Sequence, residues 1–198
     1  MMGVIANTCR STKVPALKSK AEAIAVRNQE ALAEVYLGTN EFDRAGEHYF
    51  AGDKKKAIAA IKEGFKKLRN AKSLLVEVQH RELEMHPHNT KKLETEYEEL
   101  MYDEKELEEV FRARVRGIQR VIQCIDHLMY LNAEEKAIEA LENNNFNMLY
   151  NSVSNPAREL ITVALQHNMT VIQQSKYTHE TSDVIKTLFP EATKIIAN

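Results

Sequence analysis

The chain has 198 residues, a formal net charge of −2 and 43% hydrophobic residues. That suits one domain with a sizeable core, and it excludes a molecule that is a polycation throughout. Two cysteines exclude a disulfide framework, and no apolar run approaches the roughly 20 residues of a membrane span. Six glycines, four prolines, no tryptophan and no alternating strand-type runs make this an all-α composition.

Arg10, Lys13, Lys18 and Lys20 precede the first acid, Glu22. Residues 1–15 are therefore expected to form a basic, disordered N-terminal arm ahead of a single helical domain, 16–198. Gly3-Val4-Ile5-Ala6 is too short for a secretory core, while a basic, acid-poor start is also the composition of a mitochondrial targeting segment. Met2-Gly3 does not make a myristoylation signal, because Asn7 stands where Ser or Thr is required. The expected setting is intracellular and cytoplasmic, with mitochondrial targeting as the alternative.

Residues 16–37 read as a helix burying Leu17, Ala21, Ile24, Ala25, Ala31, Leu32, Val35 and Tyr36. Asn40 is expected to cap a short second helix with Phe42, Ala45, Tyr49 and Phe50. The stretch 53–132 then reads as two long helices folded back on each other at residues 85–90. Asp53 is a good N-cap for the first arm, which carries Ile58, Ile61, Phe65, Leu68, Leu75, Val78 and Leu83. Pro87 disfavours helix at His86, and Asn89 or Thr90 caps the second arm.

The second arm carries Leu93, Tyr97, Leu100, Leu107, Phe111, Ile118, Val121, Ile125 and Leu128 at steps of three and four, the heptad seam of two packed helices. Glu104 and Arg114 are its polar interruptions. Beyond Val110 the stripe broadens with Val115, Ile122 and Met129, so the tip is expected to project and the base to lie in a core. An arm of roughly 40 residues spans about 60 Å. The C-terminal part, 133–198, reads as shorter helices. Helix 133–142 is broken by Asn143-Asn144-Asn145. A further turn carries Phe146, Met148, Leu149 and Val153, and Asn155-Pro156 opens a longer helix with Leu160, Ile161, Ala164, Leu165, Val171 and Ile172. Ser182 caps a last helix, and Ile195 and Ile196 suggest a docking tail. Residues 49–61 and 130–141 echo each other as an aromatic, a turn and a Lys-Ala-Ile helix start. No repeat of about 34 residues is sustained, so similar helix-start chemistry is the simpler reading.

Charge is the most informative functional feature. The first arm opens with Lys54, Lys55, Lys56, Lys62, Lys66, Lys67, Arg69 and Lys72, and the second carries Arg112, Arg114, Arg116 and Arg120. A turn near residue 88 would set 57–65 opposite 112–120 and merge these into one basic patch at the base. Acids crowd the outer half, including Glu94, Glu98, Glu99, Asp103, Glu106 and Glu109. Solvated helix faces produce such charge patterns by themselves. A dipolar rod also suits docking by complementary patches, and a basic patch suits phosphate backbones or an anionic membrane surface. Against nucleic acid, the patch lacks clear aromatic stacking partners.

Catalytic signals are weak. Glu77 and His80 have the Glu-x-x-His spacing of carboxylate-bridged metal sites, but no second copy occurs. His80, His86, His88 and Glu84 could gather at the tip. Cys124 and His127 are one helical turn apart, with Cys124 expected near the core and no oriented base beside it. Glu94, Glu98, Glu99 and Asp103 imitate a magnesium-binding helix, a pattern commoner in solvated helices. No glycine-rich phosphate loop is present. The expectation is a non-enzymatic helical scaffold, adaptor or structural subunit, acting by self-association or with a protein partner, with no cofactor and no small-molecule substrate. A nucleic-acid-binding accessory protein using the basic residues is the alternative, and a metal-dependent bundle enzyme is the least supported.

Overall fold

The computed structural model describes residues 2–84 and 104–174, with side chains placed from 23 to 84 and from 112 to 170. Along the chain these form α1 (Met2–Phe50), α2 (Lys54–Glu84), α3 (Glu104–Tyr130), α4 (Ala133–Glu142), α5 (Phe146–Leu149), one π-helical turn (Tyr150–Ser154) and α6 (Asn155–Gln174). No strand occurs among the described residues. The turn at 85–90, seam residues Leu93, Tyr97 and Leu100, the tip acids, His86, His88 and the tail beyond Gln174 lie outside them.

Each long helix packs on two neighbours, α1 on α2, α2 on α3, α3 on α6 and α6 on α1. Facing pairs give the directions. Arg27 meets Glu77 while Gly38 meets Gly64, so α2 runs back along α1. Lys72 meets Asp126 while Arg114 meets Glu82, so α3 runs back along α2. Asn28 meets His167 at one end of α6, and Tyr49 meets Phe146 below its other end. The arrangement is an up-down-up-down four-helix bundle. Its base holds the connections 51–53 and 143–145.

The core of the base half is apolar apart from Thr39, whose hydroxyl is satisfied within α1. Phe42, Ile61, Phe65, Leu68, Leu75, Ile125, Leu128, Leu141 and Leu160 are all fully buried. Burying each of these large side chains stabilises the fold by about 1.5–3 kcal/mol. The expected seam of α3 is confirmed at Ile118, Val121, Ile125 and Leu128, and that of α2 at Ile61, Phe65, Leu68, Leu75 and Val78. Leu83, expected in the seam, is 45% exposed, and Glu82 takes the inward position instead.

Helix starts follow local chemistry. Asp53 Oδ1 accepts from the Lys56 N–H at 3.1 Å, and this holds its carboxyl below the ordinary value. Gly52 (φ 77°) and Asn132 (φ 52°) supply the left-handed residue that ends α1 and α3. The echo between 49–61 and 130–141 is therefore one turn design used twice. Asn145 Oδ1 accepts from the Met148 N–H at 3.0 Å, as an N-cap of α5.

Three expectations are corrected. α1 spans Met2–Phe50 with no break at residues 38–40. Gly38 is kept by contact, not by a turn, since a Cβ there would lie 3.0 Å from the Gly64 carbonyl oxygen. Thr39 Oγ1 donates back to Val35 O and Tyr36 O within the helix. Second, α6 begins at Asn155 as expected, but it continues a helical π turn, with the Asn155 N–H donating to Tyr150 O, and does not start from an open loop. The π turn widens the helix just before Pro156, which lacks an N–H and would crowd the carbonyl one turn back. Third, the register of α2 and α3 differs from that set by a turn near 88. Lys72 would then face Glu104, whereas it pairs with Asp126 at 2.5 Å.

Candidate functional site

The register decides where the basic residues go. Arg112, Arg114, Arg116 and Arg120 lie level with the end of α2 near Glu82, and Lys54 to Lys72 lie level with α4 and the last turns of α3. Residues 57–65 and 112–120 are thus separated by roughly 20 residues of helix, about 30 Å along the axis. They do not form one patch.

Within the two groups most charges have partners. Lys56 pairs with Asp53, Lys66 and Lys67 with Glu63, Arg69 with Glu134 at 2.8 Å and Lys72 with Asp126. Lys54 Nζ donates to Glu142 O at 3.1 Å, and Arg116 Nε donates to Arg112 O. Arg114 turns inward and lies 3.6 Å from Glu82, an ion pair without a hydrogen bond. Among the described residues Lys55, Lys62 and Arg120 carry no ion pair. Exposed pairs of this kind contribute little, about 0–1 kcal/mol each.

The Glu-x-x-His pair does not converge. Glu77 is held by Arg27 and Arg81, while exposed His80 turns outward to Glu84 at 3.2 Å. No group of three His, Cys, Asp or Glu able to hold a metal ion occurs among the described residues. Cys124 is half-buried. Burial first, then the charge of Glu159, pushes its thiol up against the opposing pull of Arg120, the wrong direction for a nucleophile.

Two constellations have no counterpart in the sequence reading. The first is at the base, where α1 ends and α5 begins. Phe50, 72% exposed, packs its ring 4.9 Å from Phe146, which also stacks on Tyr49 at 6.0 Å and meets Tyr150 at 6.3 Å. Arg158 lies over the Tyr150 ring at 5.5 Å, and the Tyr49 hydroxyl donates to Asn144 O. These aromatics are 96 residues apart in sequence at Phe50 and Phe146, so only the fold brings them together.

The second is inside the far half of the bundle. Asn28 and Gln29 of α1 face His167 and Asn168 of α6, all at most 2% exposed. Gln29 Nε2 donates to Asn168 Oδ1 at 2.7 Å. His167 Nε2 lies 3.0 Å from Asn28 Oδ1, an oxygen that only accepts, so the neutral ring carries its proton on Nε2. Nδ1 has no hydrogen-bond partner among the described residues and rests against Gly117 of α3, where a Cβ would collide with the imidazole. Burial first, and the nearby Arg114 charge second, lower the His167 pKa from 6.5 to about 4.

Neither constellation has a precedent to lean on. No family model, no curated protein and no solved structure matches this chain. No helix among the described residues is long and apolar enough to cross a membrane.

Proposed function

We propose that the chain is a non-enzymatic helical adaptor or structural subunit of a larger protein assembly, and that the base of the bundle is its docking end. The observation that carries this reading is the aromatic cluster of exposed Phe50 and Phe146 with half-buried Tyr49 and Tyr150, Arg158 lying over the Tyr150 ring. Aromatic and Arg side chains are enriched at the cores of protein interfaces, where they carry most of the binding energy. An aromatic ring left 72% in water gains by being covered. The cluster is framed by exposed polar residues, among them Asn143, Asn144, Asn145 and Asn147, as an interface rim is.

A second reading, single-stranded nucleic acid at the same end, has one observation in its favour. Exposed Phe50 precedes Lys54, Lys55 and Lys56 by four to six residues across the 51–53 connection, and an exposed ring near basic residues is a stacking surface for bases. Light scattering after size exclusion separates the two readings. The wild-type chain should form a larger species, alone or with a protein from its native extract. Phe50→Ser, which removes the most exposed ring of the cluster, should abolish it with little change in the unfolding curve. A wild-type chain that stays monomeric and retains no protein would overturn the docking reading. Binding of a short oligonucleotide that weakens steeply with salt and is lost in the same variant would replace it with the second.

A further inference from the structure

We propose that the His167 layer is an acid-sensitive latch holding the far half of α6 to α1 and α3. This is independent of what docks at the base. The layer is the one place in the described bundle where α6 meets both neighbours through buried polar side chains, Asn28 and Gln29 on one side and Gly117 on the other.

The surroundings of the ring suit only its neutral form. From α3 comes the Arg114 guanidinium, three residues before Gly117. From α2 comes Glu82, already 3.6 Å from Arg114. On α1 the layer residues are the neutral Asn28 and Gln29. Arg27, beside them, is bound to Glu30 and Glu77. The next α1 carboxylate, Glu34, lies six residues on, about 9 Å along the axis. On α6 the neighbour is the neutral Asn168. A protonated ring would press an Nδ1–H donor against the helix wall at Gly117 and add a positive charge near Arg114. Asn28 Oδ1 can accept only from the other nitrogen. The relief open to the chain is to move His167 into water.

The release is local. Towards the base α6 and the turns before it are held by Leu149, Val153, Ala157 and Leu160, which do not titrate and are buried. Segment 160–170 therefore loosens while the base half stays packed. The sign follows from the lowered folded-state pKa. The stability is present in full above the ordinary value of 6.5 and is lost as pH falls towards about 4. Between pH 7.5 and 5, above most carboxylate titrations, the folding equilibrium constant should fall about thirtyfold from this group. Glu82 opposes it, because burial raises its carboxyl pKa and proton uptake there favours the folded state on acidification.

The test uses the full chain, with urea unfolding and amide hydrogen exchange at pH 7.5 and 5, corrected for intrinsic exchange. Between the two pH values wild type should lose about thirtyfold more stability than His167→Gln, which keeps the opposing Glu82 contribution, and 160–170 and 24–35 should be less protected than 57–68 because they open without global unfolding. His167→Gln should remove this pH dependence and leave only the opposing Glu82 contribution. Asn28→Asp, which sets a carboxylate beside Nε2, should reverse the sign of the His167 contribution, and it keeps the test decisive if His167→Gln does not fold. A wild-type loss within about threefold of the His167→Gln loss, an Asn28→Asp loss equal to wild type, or equal protection in 160–170 and 57–68 would overturn the latch.

Discussion

At the scale of single residues, glycines separate packing from backbone effects. Gly64 sits where α1 and α2 cross, and a Cβ there would lie 2.6 Å from Phe42 Cε1 and 2.8 Å from Gly38 O. Gly46, also inside a helix, has nothing within 4 Å of the same added atom. Gly64→Ala should therefore destabilise by about 2 kcal/mol through overpacking, and Gly46→Ala should stabilise by up to about 1 kcal/mol through helix propensity. Urea midpoints for the two variants check the contrast. Much of the core was legible at this scale, because Ile61, Phe65, Leu68, Ile118, Val121 and Ile125 recur at helical spacing. The polar layer was visible in principle. Asn28 lies four residues after Ile24 and four before Leu32, on the buried stripe, and His167 lies seven after Leu160. A polar residue on a stripe reads as an interruption until its partner on another helix is known. The pairing of residues 28 and 167 is written nowhere in either segment.

At the scale of elements, turn chemistry was readable and helix continuity was not. Gly52, Asp53, Asn144 and Asn145 mark the observed ends because each offers the backbone a left-handed residue or a side-chain acceptor. Gly38-Thr39-Asn40 carries the same residue types inside an unbroken helix. There the contact with Gly64 and the burial of Phe42 and Ala45 outweigh local preference. The two turns that echo each other should respond to substitution in the same direction. Gly52→Ala should cost about 1–2 kcal/mol, because it forces an L side chain into left-handed backbone, and Asn132→Ala should cost less, because Asn132 already has a Cβ there and loses only the local tolerance of asparagine. Asn132→Gly should cost little. Thermal unfolding of the three variants, with Gly46→Ala as the ordinary-helix control, checks the comparison.

At the scale of the whole molecule the bundle class was legible and the register was not, since a seam of period 3.5 matches itself after every heptad. What fixes the register is the placement of the charged and polar exceptions, Lys72 with Asp126, Glu82 with Arg114, and His167 at Gly117. Zero-length carbodiimide coupling should yield a Lys72–Asp126 amide within a single chain, detected by mass spectrometry of the monomer band. A Lys72–Glu104 product would restore the register of a turn near 88, and the Asp126 product found only in dimers would mean arms exchanged between subunits. The short 51–53 connection has a further consequence, for the order of assembly. Closing three residues costs little chain entropy, so α1 and α2 zip together early, along Gly38, Phe42, Gly64 and Phe65. A chain emerging from the ribosome makes that hairpin long before α6 exists, and Asn28 and Gln29 then face open water with their hydrogen bonds satisfied by it. The side of the nascent bundle awaiting α6 is thus partly wetted, which guards it against the wrong apolar neighbour until residues 167 and 168 arrive.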